Sequence, residues 1–204
     1  MEPIQSIDAE DDQFAYRYDT QLLIDRRDED LDEDEIKTFL RPVLLSLREC
    51  ERVLLEGVTF QNSPCWNLHP LWCKDVIIQD VPVRNPHYST NGDGIDIDGC
   101  DGVILVGSSF DVGDDAICIK SGKDEDGRRH ARKCRNLIIS DCTVYHGHGG
   151  FVIGSEMSGG VENIRVSDCR FIGTDTGLRF KSTRGRGGLV KDIWCDHIYM
   201  KDIV

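Results

Sequence analysis

Three aspartates, one histidine and two basic residues occur at spacings that suit chemistry on an acidic substrate. They lie in four short stretches, in chain order Asn91-Gly92-Asp93-Gly94-Ile95-Asp96, Gly113-Asp114-Asp115-Ala116-Ile117, Gly147-His148-Gly149 and Arg179-Phe180-Lys181. Crowded carboxyl groups can supply both an acid and a base, because their repulsion raises the pKa of at least one of them. Arginine and lysine bind negatively charged groups strongly. The four stretches therefore predict a site that cleaves a bond in an acidic polymer.

Six segments of the chain repeat one pattern, which indicates the scaffold that must position these groups. The equivalent apolar residues are Val53, Val76, Val103, Leu137, Ile164 and Ile193, at steps of 23, 27, 34, 27 and 29 residues. Repeats of this length are typical of solenoids, and short β-branched runs bounded by turn residues favour strands. We predict an all-β fold, a right-handed parallel β-helix of about six coils. The alternative is an antiparallel sandwich, but its hairpins need only two to five connecting residues.

The stacking of coils predicts how the four stretches meet. Adjacent coils lie about 4.8 Å apart, so four coils place Asp93, Asp114, His148 and Arg179 along a groove of about 15 Å. Two carboxyls on neighbouring coils with water between them match an inverting glycosidase, whose pair is about 6.5–9.5 Å apart. Such a groove suits two or three sugar rings.

Strand alternation predicts which side chains reach this groove. Ile117 and Ile119 face inward and Lys120 faces outward. Asp114 shares the outward face by this parity. Asp115 reaches the same groove only if the chain bends or bulges at the preceding glycine.

Basic residues at two places are candidates for binding the carboxylates of a substrate. Arg179 and Lys181 flank an inward Phe180, so both point out of one strand. Arg128 and Arg129 lie in the loop of the longest repeat, which either holds substrate carboxylates or is a solvated excursion. We favour substrate binding for this loop.

Aspartate and glycine at strand ends are ordinary turn residues, so a single carboxylate is weak evidence for a site. We interpret Asp96 and Asp98 as structural residues of this kind. Only the combination of the four stretches predicts chemistry.

The nine cysteines are an odd number and cannot all pair with one another. Four of them open successive repeats and are predicted to stack as small buried side chains at one corner: Cys50, Cys73, Cys100 and Cys134. A zinc site would need Cys134, Cys142, His146 and His148, whose spacing matches no zinc-binding pattern. We predict no metal and no cofactor.

Acidic residues are concentrated at the N-terminus. Residues 1–35 hold 14 acidic and 3 basic side chains, and so contribute −11 of the formal net charge of −13. We predict an acidic segment, residues 1–40, that is solvated or forms a short helix or cap, and an incomplete β-helix core, residues 41–204. The charge argues against nucleic acid as a partner, and no apolar run suits a membrane span or a signal peptide. We expect a monomer.

In their order, the four stretches resemble the signature motifs of glycoside hydrolase family 28, the polygalacturonases and related pectin-degrading enzymes. The segments 63–70 and 153–160 are similar to the bacterial and plant branches of that family. The resemblance covers about residues 40–204. It implies a right-handed parallel β-helix that hydrolyses α-1,4-galacturonosyl bonds of polygalacturonate with inversion and without a metal.

The resemblance also implies a role for each residue of the site. Asp114 resembles the general acid, and Asp93 and Asp115 resemble the pair that activates water. His148 resembles the histidine that supports protonation of the acid. The positions that resemble substrate-binding residues, with the two loop arginines added, are Asn91, Arg179, Lys181, Arg128 and Arg129.

Two departures from the family pattern bear on these expectations. The second residue of the first motif is usually threonine and here is Gly92, which leaves every carboxylate in place. Family members are longer, so we expect this chain to be a fragment of a secreted or periplasmic protein.

The alternatives to a polygalacturonase are a calcium-dependent pectate lyase of the same fold and a non-catalytic remnant that binds pectin. Exo and endo action both stay open.

Overall fold

The computed structural model describes residues 41–204, in which the unit Val43–Val204 is a β-helix of parallel strands. Six coils follow one another, and each adds one strand to each of three faces. Face A holds β1 (Leu45–Arg48), β4 (Leu68–Leu71), β7 (Ile95–Asp98), β10 (Ile117–Lys120), the second part of β12 (Thr143–Ile153) and β15 (Thr174–Phe180). Face B holds β2 (Glu51–Glu56), β5 (Lys74–Gln79), β8 (Asp101–Val106), β11 (Cys134–Ser140), β13 (Val161–Ser167) and β16 (Val190–Asp196). Face C holds β3 (Phe60–Gln61), β6 (Pro82–Arg84), β9 (Ser109–Asp111), the first part of β12, β14 (Arg170–Ile172) and β17 (Tyr199–Lys201).

The register of face B confirms the predicted repeats. The paired residues, coil by coil, are Val53, Val76, Val103, Leu137, Ile164 and Ile193. The four central members are at most 1 % exposed. Burying a side chain of this size stabilises a fold by about 1.5–3 kcal/mol. Every strand pair in the described part of the chain is parallel, so the sandwich alternative is wrong.

A left-handed residue precedes each member of this apolar column. The φ angles lie between 53° and 78°, at Arg52, Asp75, Gly102, Asn136, Asn163 and Asp192. Glycine adopts this conformation freely, and asparagine and aspartate do so more often than other residues. The requirement explains why five of the six repeats have glycine, asparagine or aspartate at this place. Two of these side chains also bond across coils, since Asn163 Nδ2 donates to Asn136 Oδ1 at 2.6 Å.

The predicted cysteine stack is present at the corner between faces A and B. Cys73, Cys100 and Cys134 are fully buried, and each thiol lies within hydrogen-bonding distance of a carbonyl oxygen of the preceding coil. All nine cysteines are free. Cys134 begins the seven-residue strand β11, which spans about 20 Å, and Cys142 lies two residues beyond its other end. That separation excludes the zinc site considered above.

The predicted short helix or cap in residues 1–40 lies outside the described residues, and the domain boundary at residue 40 stays a prediction. Among residues 41–204 no helix has the length and apolar character needed to cross a membrane. The one helix there is α1 (Asp124–His130), in the long connection between β10 and β11. This helix accounts for the 34-residue step between the third and fourth repeats.

Candidate active site

The three predicted aspartates form one cluster at the beginning of the face A strands. One carboxylate oxygen each of Asp93, Asp114 and Asp115 lies within 4.8 Å of the others. Asp115 is fully buried and Asp93 is 4 % exposed, whereas the Asp114 side chain is 19 % exposed. The cluster therefore has two enclosed carboxyls and one that faces solvent.

A local bend explains how two successive aspartates join the same cluster. Strand β10 begins at Ile117, and the chain bends at Gly113 and Asp114, so strand alternation does not extend back to Asp115. The peptide N–H of Asp115 donates to Asp114 Oδ1 at 2.8 Å, which fixes the exposed carboxyl. Strand alternation allowed Asp115 to reach the groove only through a bend or bulge at Gly113, and the structure has a bend there.

Gly113 is part of a tight backbone contact that holds this bend. A Cβ added there would lie 2.6 Å from the carbonyl oxygen of Ser89 and 2.7 Å from that of Pro86. Gly92 is similarly enclosed, because its Cβ would lie 2.7 Å from Ser89 Oγ. The side chain of Ser89 therefore fills the space that a side chain at residue 92 would need.

We predict that Gly113→Ala displaces the Asp114–Asp115 bend. The added methyl group would contact backbone atoms, which move less easily than a side chain, so the two carboxyls should shift relative to Asp93. We expect turnover of the substrate to fall at least about tenfold, because misplacement of about 1 Å can cost two orders of magnitude. The check is enzyme kinetics beside circular dichroism, with Gly57→Ala as control, since a Cβ at Gly57 meets nothing within 4 Å and the strain from its left-handed φ of 63° lies outside the carboxyl cluster. Equal activity in both variants would contradict the prediction.

His148 lies on the coil next to Asp114. Its backbone N–H donates to the Asp114 carbonyl at 3.0 Å, and its Nδ1 lies 3.2 Å from Asp114 Oδ1. The imidazole is 53 % exposed. A histidine so placed can exchange a proton with the exposed carboxyl and still reach a ligand in the groove.

Two cations approach the cluster from the sixth coil. Lys181 Nζ lies 2.6 Å from Asp115 Oδ2, and Arg179 Nη1 lies 3.9 Å from Asp115 Oδ1. Although burial lowers the pKa of Lys181, its hydrogen bond to Asp115 and the charge of that carboxylate outweigh burial and raise the pKa. Arg179 is 41 % exposed. The lysine is therefore the close partner of Asp115, while the arginine faces the groove.

The second buried carboxyl has the opposite electrostatic environment. Burial raises the pKa of Asp93 to about 8; the charges of Lys120 and Lys181 oppose this rise, and the charges of Asp114 and Asp115 add to it. Asp115 has an ammonium partner and Asp93 has none at hydrogen-bonding distance. The cluster therefore contains one carboxyl paired with an ammonium group, Asp115, and one that holds its proton to higher pH, Asp93.

Sequence analysis missed a set of charged residues beneath this cluster. Lys120 is 4 % exposed, with Nζ 2.7 Å from Glu156 Oε2 and 3.5 Å from Asp96 Oδ1. The ring of Trp66 covers the ammonium at 4.9 Å. Alternation placed Lys120 correctly on the outer surface of face A, but that surface is covered by residues from other coils. A lysine inside an otherwise apolar strand was the available signal.

The remaining predicted substrate-binding residues occupy different positions. Asn91 is exposed, with a left-handed φ of 55°. Arg128 donates from Nη1 to the carbonyl oxygens of Gly185 and Arg186, at 2.7 and 2.9 Å. Arg129 donates to Asp126 within α1 at 2.8 Å. The loop predicted to hold substrate is therefore partly helical, and Arg128 is engaged in holding a neighbouring loop.

Phe180 lies in register with Ile153 and thus with the inner column of face A. Its side chain is nonetheless 56 % exposed, because β15 is the outermost strand of face A in the described part of the chain. The predicted inward direction agrees with the register, but the expected burial is wrong.

A divalent cation is the one cofactor that this arrangement could hold. The oxygens of Asp93, Asp114 and Asp115 are close enough to share an ion. Lys181 already supplies a positive charge at Asp115, which reduces the need for one.

Fold and site together define a parallel β-helix with a carboxyl cluster flanked by cations. The chain belongs to family 28 of the glycosyl hydrolases, whose sequence profile matches residues 32–204. A probable polygalacturonase from Vitis vinifera is 35 % identical over 164 residues, which are 80 % of this chain and 33 % of that protein. The chain thus spans about a third of the length of the curated relatives it matches.

Two solved structures are similar over most of the described chain. An exopolygalacturonase from Thermotoga maritima superposes with a TM-score of 0.77 at 32 % identity, covering 91 % of this chain and 45 % of that one. A family 28 exopolygalacturonase from Yersinia enterocolitica gives a TM-score of 0.79 at 25 % identity, covering 91 % and 32 %.

Proposed function

We propose that this chain carries the catalytic site of a polygalacturonase, which hydrolyses α-1,4-galacturonosyl bonds in polygalacturonate. The observation that carries the proposal is the cluster of three carboxyls within 4.8 Å, with Lys181 and Arg179 beside it. Carboxyls supply an acid and a base, and cations suit a substrate with a carboxylate on every sugar. The names of the relatives support the same substrate class.

The three carboxyls differ in ways that support separate roles. Asp114 is the exposed member and has His148 at 3.2 Å, so it suits a general acid that protonates the leaving oxygen. Asp115 is paired with Lys181 at 2.6 Å and suits a base that takes a proton from water. Asp93 lies beside both and acts with Asp115 on the water in the fraction of molecules in which it has lost its own proton, a fraction that grows as the pH rises towards its pKa of about 8. His148 supports protonation of Asp114.

The cations have complementary roles in substrate binding. Arg179 is two-fifths exposed and its contact with Asp115 is long, so its guanidinium is positioned for a galacturonate carboxylate. Lys181 is nearer the reacting centre and shares its charge between Asp115 and the substrate. Asn91, Arg128 and Arg129 stay candidate contacts for more distant sugars.

We infer single displacement with inversion and without a metal from membership of the family, because the nearest oxygens of the three carboxyls lie within 4.8 Å, which is closer than the about 6.5–9.5 Å predicted for an inverting pair. Asp115 has an ammonium partner within the chain, and water can attack from the side of Asp93 and Asp115 while Asp114 protonates the leaving group. We further infer an extracellular site of action on an acidic cell-wall polysaccharide and a monomeric state. The alternative is a calcium-dependent lyase, which would use the same carboxyls as metal ligands.

The test separates hydrolysis from elimination and from simple binding. The 204-residue chain is incubated with polygalacturonate at mildly acidic pH, once in excess chelator and once with calcium and no chelator, while new reducing ends and ultraviolet absorbance are recorded together. We expect reducing ends without a rise in absorbance, and product NMR should show the inverted anomer first. A chelator-sensitive rise in absorbance would establish the lyase, and binding without cleavage by the folded chain would establish the non-catalytic alternative.

A further inference from the structure

A buried row of charges continues from the carboxyl cluster into the body of the protein. One oxygen each of Asp93 and Asp96 lies within 4.8 Å of the other, and Asp96 Oδ1 is 3.5 Å from Lys120 Nζ. Lys120 contacts Glu156 at 2.7 Å, and Glu156 lies 3.5 Å from Arg186. The row alternates in charge beyond Asp96, so its members stabilise one another in a region with little water.

Asp96 is the member of this row that is buried without a hydrogen bond from the described residues. It is fully buried, and neither carboxylate oxygen has a hydrogen-bond partner in the described residues. A buried carboxylate without hydrogen bonds is costly unless a cation lies close or the group is protonated. Lys120 is the cation nearest to it, at 3.5 Å. The ammonium therefore serves two carboxyls on this side, Asp96 directly and Asp93 beyond it.

Lys120 is itself held firmly in its charged form. Burial alone would lower its pKa, but the neighbouring Cys118, Asp96 and Glu156 outweigh burial and raise it well above the usual range. Glu156 is correspondingly ionised, since the charge and hydrogen bond of Lys120 overcome burial and lower the pKa of Glu156 to about 2. A permanent positive charge therefore lies behind the cluster, fixed between Trp66 and Glu156.

We propose that Lys120 is a positioning residue of this site, whose buried charge keeps Asp93 able to lose its proton and so to act on water. The groups that face Asp93 are Asp96 on β7, Cys118 and Lys120 on β10, Asp114 and Asp115 in the preceding bend, and Lys181 after β15. Lys181 is occupied by Asp115 at 2.6 Å. Lys120 is also paired, with Glu156 at 2.7 Å, but of the two lysines it opposes the rise in the pKa of Asp93 more strongly.

This inference deepens the proposed function, so its test measures the proton on Asp93 rather than turnover. The chain is labelled with aspartate that carries ¹³C at the side-chain carboxyl carbon, and the carboxyl signal of Asp93 is identified by its loss in Asp93→Asn. Its titration midpoint is then compared in the wild type, Lys120→Met and Lys120→Arg. We expect Lys120→Met to raise the midpoint by about one pH unit or more, because a unit charge nearby in the interior is removed. Lys120→Arg keeps the charge and should restore most of the midpoint.

A second variant predicts the opposite direction and is milder for folding. Glu156→Gln removes a negative charge beside Lys120 but keeps an oxygen that can accept its hydrogen bond. The midpoint of Asp93 should therefore fall. If Lys120→Met does not fold, the combination of Lys120→Met with Glu156→Gln removes both charges and should raise the midpoint above that of Glu156→Gln alone.

The control is Lys74→Met, the same chemical change at a side chain that is 59 % exposed on face B. It should leave the midpoint of Asp93 where it is. An unchanged midpoint in folded Lys120→Met, or a rise in Glu156→Gln, overturns the inference. Because the titration needs no substrate, an inactive chain that shows these shifts would reject the proposed function and retain the electrostatic role of Lys120.

Discussion

Lys181→Met should cause a large loss of stability. It removes the ammonium 2.6 Å from the fully buried Asp115 and leaves Arg179 at 3.9 Å as the nearest remaining cation. Breaking a buried ion pair by removing one partner costs about 3–5 kcal/mol, because the other charge stays buried. We expect a loss of this size in the free energy of unfolding, measured with denaturant, and a loss of activity of at least about a hundredfold.

A double variant separates the two effects. Lys181→Met combined with Asp115→Asn removes both charges, so most of the stability should return while activity stays lost. Lys201→Met is the matched control, since that lysine is 58 % exposed and its contact with Asp202 is 3.9 Å. Its unfolding free energy should change by less than about 1 kcal/mol. If Lys181→Met were no less stable than Lys201→Met, the Lys181–Asp115 pair would not be what holds Asp115.

The second large effect is a dependence of stability on pH that comes from Asp93. Its pKa rises from 3.8 in the unfolded chain to about 8 in the folded one, chiefly because of burial. Below pH 3.8 both states hold the proton. Between the two pKa values only the folded state holds it, so stability falls as pH rises. Above about pH 8 the folded carboxyl is ionised and the loss is complete.

Asp93→Asn removes this dependence because an amide does not titrate. The variant should melt close to the wild type at pH 4 and at a higher temperature than the wild type at pH 9. Its free energy of unfolding at pH 9 should be larger by up to about 5 kcal/mol, from the linkage between pKa and stability. Thermal melting across this pH range is the measurement. Asp111→Asn is the control, because that side chain is 48 % exposed and paired with His146. If the melting temperatures of the wild type and Asp93→Asn changed with pH in the same way, Asp93 would titrate as an ordinary aspartate.

Much of the scaffold could be predicted because each coil repeats the same physical requirements. A left-handed residue followed by an inward apolar side chain recurs in every repeat, so Val53 and Val76 could be aligned from sequence alone and pair in the structure. The repeats differ in length, but the differences lie in the connecting segments, so the strands stay in register. The 34-residue step contained a helix that its sequence did not reveal.

The residues of the site could be predicted from the sequence, but the contacts that position them could not. Asp114 and Asp115 were identified, but parity could not show how both reach Asp93, since the bend depends on backbone contacts with the turn at Ser89. The buried state of Lys120 depends on Trp66 and Glu156, which lie far from it in sequence. Contacts between distant segments of this kind leave no local pattern.

The most direct measurement is reducing-end release from polygalacturonate in excess chelator at mildly acidic pH, comparing wild type, Asp114→Asn and Asp111→Asn. Both substitutions remove a carboxyl that lies beside a histidine, but only Asp114 belongs to the cluster. We predict chelator-resistant release by the wild type, nearly unchanged release by Asp111→Asn, and a fall of at least about a hundredfold in Asp114→Asn. Equal release by the two variants, or none by a folded wild type, would contradict a hydrolytic site centred on Asp114.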